Sequence, residues 1–86
     1  MNPPIITTPT IDGYRITEYL QVLVSDEHLT YDDVLQEITL QAIQVKADFV
    51  VGFHLVTQAP QSRTGAGVGR RFMGYGTAVK AKKTSR

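Results

Sequence analysis

The stretch "ADFVVGFHLVTQ", Ala47 to Gln58, decides the fold. Successive side chains of a strand point to opposite faces. Read with strict alternation, Phe49, Val51, Phe53 and Leu55 line one side, and Val50, His54 and Val56 line the other, with Gly52 between. A strand that is apolar on both faces needs cover on both faces. One helix covers one side, and the remaining cover is expected from the loop, the arm or another copy of the chain.

Upstream, "GYRITEYLQVLV" follows the turn signal Asp12-Gly13 and alternates as a half-buried strand does. Tyr14, Ile16, Leu20, Val22 and Val24 are expected on one face and Arg15, Thr17, Tyr19 and Gln21 on the other, with Leu23 as an apolar exception. Glu18 interrupts the apolar face, and a bulge that turns it outward is the expected remedy.

"SDEHLTYDDVLQEITLQAIQVK" carries the one helix. Thr30 with Asp33 three residues later forms a capping box with Asp in place of Glu. Asp32 and Asp33 suit the positive pole of the helix, and Lys46 is placed in the last turn at the negative pole. Tyr31, Val34, Leu35, Ile38, Ala42 and Val45 make one stripe, while Leu40 and Ile43 fall off it. One helix covers only one side of a small sheet. The apolar arm "NPPIITTPT", with Ile5 and Ile6 among three prolines, needs cover too, from a neighbouring subunit or from its own sheet.

Beyond Gln58, "APQSRTGAGVGRR" reads as a loop, and "FMGYGTAVKA" resumes a strand. Gly65, Gly67 and Gly69 do not match a dinucleotide fingerprint, which needs a different spacing and a helix to follow; here a strand follows. They fit a hairpin loop, which with Arg63, Arg70 and Arg71 could hold an anion. Gly74 and Gly76 share one face of the strand, which points to close approach of a bulky group from a helix or a neighbouring subunit.

The chain therefore divides into an extended arm (1–13), a single β-α-β-β domain (14–80) and a basic tail (81–86) expected to be disordered. The fold class is α+β, one helix on a small antiparallel sheet. Its 86 residues leave room for one core, and with no cysteine neither a disulfide nor a thiolate metal site is available. Association between copies is the expected source of extra stability, through Ile5, Ile6, Leu40, Ile43, Val50, Val56, Gly74 and Gly76.

Charge is unevenly placed. Residues 1–48 carry all eight acidic residues and only Arg15 and Lys46 of the basic ones, a balance of −6. Residues 49–86 carry seven basic residues and no acidic one, a balance of +7. Such asymmetry fits a basic surface meeting an acidic surface of the next copy, or contact with a polyanion. No stretch approaches the ~18 apolar residues of a membrane span. The start "MNPPIITTPT" lacks the basic region and apolar run of a secretory signal, so a cytoplasmic protein with no membrane partner is expected.

The order "GYRITEYLQVLV", helix, "ADFVVGFHLVT", glycine loop, "GYGTAVK" resembles the YbjQ-like family of small bacterial proteins, from about Thr7 to Lys80. The resemblance implies a dodecin-like β-α-β-β subunit assembled as a ring, typically a pentamer. The segment between first strand and helix, Ser25 to Thr30, is shorter than the family usually carries. The family's heavy-metal-binding label is not carried over: His28 and His54 are the only histidines, and a zinc site takes about three or four protein ligands.

Three functions are weighed on these residues. The first is a homo-oligomeric module, structural or binding small ligands between subunits near the 61–72 loop, with no cofactor and no catalysis. The second is a polyanion or nucleic-acid binder using Arg63, Arg70, Arg71, Lys80, Lys82 and Lys83, with only Phe72 and Tyr75 as nearby rings. Third, an enzyme would have to gather Glu18, Asp48 and His54 in space, and their spacing offers no motif for that. A metal-binding protein is a further alternative to the first.

Overall fold

The computed structural model describes residues 2–58 and 71–84, in the order β1 (Tyr14–Val24), α1 (Tyr31–Gln44), β2 (Phe49–Gln58) and β3 (Arg71–Lys83). The three strands form one antiparallel sheet in the order β1-β3-β2, and the helix packs on one face of it. β1 and β2 both run against β3, so they are parallel to each other on its two sides. This is the expected α+β, β-α-β-β architecture. β3 continues to Lys83, past the expected boundary at 80, because Ala81, Lys82 and Lys83 pair with Ile16, Arg15 and Tyr14.

The helix starts where the sequence says it should. Thr30 is extended, and its hydroxyl accepts from the Asp33 amide at 3.2 Å. The C-terminus differs from expectation. Lys46 lies beyond the last turn, in the left-handed region at φ 60°. Its amide donates to Ile43 O and the Ala47 amide to Ala42 O, which is the Schellman closure with lysine where glycine is preferred. Lys46 thus ends the helix by backbone geometry rather than by standing in its last turn.

Bulges rearrange the faces that strict alternation predicts. β3 is regular, so its odd-numbered residues point to the outer face and its even-numbered ones toward the helix. β1 slips against it twice, between Ile16 and Glu18 and again between Tyr19 and Gln21. The first slip is the bulge expected at Glu18, which sits exposed opposite Lys80. The two together place Tyr19 outward with Ile16 and Val22, and turn Leu20 and Leu23 toward the helix. Leu23 is no exception: it is among the most deeply buried residues of the core.

β2 slips once, between Val51 and His54, with Gly52 at φ 63° taking the left-handed position that such a bulge needs. Phe49, Val51, His54 and Val56 therefore share the outer face, and Val50 and Phe53 the helix face. Val50 is separated from His54 and Val56, contrary to the alternation.

The core between sheet and helix comprises Leu23, Val34, Ile38, Ala42, Val50, Phe53 and Ala78. Each large aliphatic side chain buried there contributes about 1.5–3 kcal/mol. Gly74 and Gly76 let it close. A Cβ on Gly74 would stand 2.7 Å from the Phe53 ring and 2.8 Å from Val34 Cγ1; one on Gly76 would stand 2.8 Å from Val50 Cγ1.

The N-terminal arm lies along the free edge of β2. Val50 N donates to Pro4 O, Ile6 N to Val50 O, Phe53 N to Ile6 O and Gly52 N to Thr8 O, at 2.7–3.0 Å. Of the two covers considered for Ile5 and Ile6, the chain's own sheet is the one used. The arm then crosses the outer face, where Ile11 closes a second small cluster with Val51 and Val79, flanked by Ile6, Ile16, Phe49 and Ala81.

Candidate functional site

The outer face of the sheet has two unlike ends. At the end where β1 starts, the arm covers it, Val51 and Val79 are buried, and Tyr14 meets Phe49 edge-on with ring centres 4.9 Å apart. At the end where β1 finishes, no described residue lies over the strands. Val22 is 63% exposed and Val24 51%; Val24 stands opposite the exposed Tyr75, and the exposed Val56 lies on the same face two strands away, opposite Met73. Tyr19, still more exposed, borders the same surface.

His54 stacks on Tyr75 across the strands, with ring centres 5.4 Å apart and planes 7° off parallel. Its Nδ1 donates to Gly52 O at 3.0 Å, a bond that the Gly52 bulge makes possible. With Nδ1 occupied, Nε2 is the nitrogen left to meet solvent or a partner. Around this imidazole are valines and a tyrosine. Among the described residues, no carboxylate pairs with this imidazole, and no three His, Asp or Glu side chains gather to hold a metal.

A second apolar surface lies on the far side of the molecule. Leu40 is 55% and Ile43 43% exposed on the helix, as the off-stripe positions predicted, with Leu29 and Tyr31 near its start.

The remaining predicted site residues divide plainly. Arg63, Gly65, Gly67, Gly69 and Arg70 lie outside the described residues; Arg71 opens β3 opposite Gln58. Val50 is fully buried under the helix, so it has no surface to offer a neighbour. Gly74 and Gly76 do allow a close approach, but the bulky groups over them are the chain's own Phe53, Val34 and Val50. Ile5 and Ile6 are engaged by the chain's own sheet. Of the predicted interface residues, Leu40, Ile43 and Val56 remain exposed.

One constellation escaped the sequence reading. His28 donates from Nε2 to Glu37 Oε1 at 2.6 Å. Glu37 also accepts from the Asp26 amide and from Gln41 Nε2, which in turn reaches Val24 O. The His28 hydrogen bond is the main cause that holds the Glu37 carboxyl below its ordinary value; burial opposes it, and the Asp26 and Gln41 donors add to it. The cluster ties the short 25–30 connection to the helix, and the backbone of His28 pairs with Phe72 in both directions at 2.8 Å. Only the Glu37–Gln41 spacing on one helix face could have hinted at it.

The fold has a solved counterpart. The crystal structure of a protein of unknown function from Pediococcus pentosaceus, described as belonging to the DUF74 family, is similar over 91% of this chain and 96% of its own, with a TM-score of 0.61 and 21% identity. No family model matches the chain, and no curated protein does. Among the described residues, no helix is long and apolar enough to cross a membrane.

Proposed function

We propose that this protein is a non-catalytic subunit of a homo-oligomeric ring, a short relative of the YbjQ-like proteins, with any small ligand held between subunits near the 61–72 segment. The bare half of the outer sheet face, with Val22, Val24, Val56 and Tyr75, carries this reading. An exposed apolar row beside a row that the same chain takes care to cover marks a contact surface.

The ring form is supported by the presence of two different apolar surfaces. The valine patch lies on the sheet's outer face, and Leu40 with Ile43 lies on the helix, on the opposite side of the sheet. Unlike surfaces on opposite sides join head to tail, and a head-to-tail contact that closes makes a ring. The bacterial counterpart of unknown function supports the fold of such a subunit.

Light scattering coupled to size exclusion tests the proposal on the 9.5 kDa chain. A mass of several subunits is expected, reduced to one subunit by Val24→Asp and by Leu40→Asp. A 9.5 kDa particle from the unaltered chain at micromolar concentration overturns it.

A further inference from the structure

Across the β1–β3 ladder, Arg15 stands directly opposite Lys82, and Lys83 follows opposite Tyr14. Like charges facing each other across a strand pair destabilise a sheet. These are also not neutralised: the only ion pair among the described residues is His28–Glu37, at the far end of the sheet. Glu18 lies further along β1, opposite Lys80, and Asp48 has one carboxylate oxygen engaged by the Ala81 amide. Asp12, in the turn before β1, forms no ion pair with any of the three cations.

The backbone beneath the cluster is held in place. Thr84 donates from both its amide and its hydroxyl to Gly13 O, each at 3.0 Å, which holds the end of β3 against the turn before β1. Arg15, Lys82, Lys83 and Thr84 line a crevice of about 290 Å³. That is room for roughly nine or ten water molecules, ample for a phosphate or diphosphate group.

We infer that this crevice is a binding site for the phosphate or diphosphate group of a small phosphorylated molecule. The Arg15 fork suits two oxygens of one phosphate, and the Lys82 ammonium, on the same face of the sheet, supplies a further charge-assisted hydrogen bond. A bound anion offsets the repulsion between Arg15 and Lys82. The site lies at the arm-covered end of the sheet and does not depend on assembly.

Amide NMR with inorganic phosphate, pyrophosphate, sodium chloride at matched ionic strength and a short single-stranded DNA tests it. Saturating shifts at Arg15 and Lys82–Thr84 are expected, tighter for pyrophosphate than for phosphate. Arg15→Gln should weaken pyrophosphate about ten-fold or more, while Lys80→Gln, outside the crevice, should change it less than about two-fold. Without any anion, Arg15→Gln should raise the melting temperature, since it relieves like-charge repulsion; a fall would mark Arg15 as a structural residue and overturn the proposal. It is also overturned if chloride reproduces the shifts, if Arg15→Gln binds pyrophosphate as the parent does, or if the DNA binds and pyrophosphate does not.

Discussion

The two ends of the outer sheet face are built from the same three strands, yet one is closed and the other is open. At the closed end, Ile6 and Ile11 lie over Val51 and Val79. At the open end, Val22, Val24 and Val56 face outward with the His54–Tyr75 stack and nothing described above them. The difference is one of chain supply rather than of strand composition. The arm, tied to the edge of β2 through Thr8, has residues enough to cross the sheet only at the end where it enters. An apolar strand face creates a demand for cover; the path of the rest of the chain decides where that demand goes unmet.

The sharpest test of that contrast is a pair of identical substitutions. Val51→Asp buries an unpaired carboxylate in the closed end and should cost at least about 4 kcal/mol, enough to unfold a domain of this size. Val22→Asp puts the same group on the open end and should leave the folded circular-dichroism signal intact while it lowers the particle mass. Equal unfolding by both would erase the distinction between the ends.

Ile11→Ala probes the arm as cover and should destabilise the subunit by about 2–3 kcal/mol in urea denaturation. A change no larger than that of Val22→Ala would show that the arm shields nothing.

Glu37→Gln addresses the end of the sheet that lacks the arm, where the His28 cluster holds the connection instead. Its carboxyl lies below the ordinary value of 4.5 in the folded state. Stability from the charged form is therefore complete above that value and is lost as the pH falls through the folded one. The variant should be less stable by about 1 kcal/mol at neutral pH, and the gap should close in acid. A gap unchanged from pH 7 to pH 3 would remove the role assigned to this carboxylate.

The smallest effect expected is a gain. Lys46→Gly relieves a left-handed non-glycine residue and should raise stability by about 0.5–1 kcal/mol, without effect on either end of the sheet. A loss would mean that the lysine side chain makes up for its backbone.

Much of the fold was legible in the chain itself. The order of elements, the Thr30 cap, the Val34–Ile38–Ala42 stripe, the bulge at Glu18 and the shared face of Gly74 and Gly76 follow from local spacing, because each depends on residues within a turn or a pleat of one another. Which face each strand residue occupies did not follow. Two slips in β1 and one at Gly52 change the alternation; the Glu18 carboxylate on an apolar face marks the first, whereas the other two are settled by the partner strand's register. Hence Leu23 moved inward, Tyr19 outward, and Val50 away from Val56. The same holds for contacts between distant segments: His28 with Glu37, Arg15 opposite Lys82, and the arm along β2 depend on how separate pieces meet. The sequence determined that this sheet carries more apolar surface than one helix can cover. Tertiary structure alone decided that the arm takes up part of that excess and leaves Val22 and Val24 bare, because only the folded path of the chain sets how far its own arm can reach.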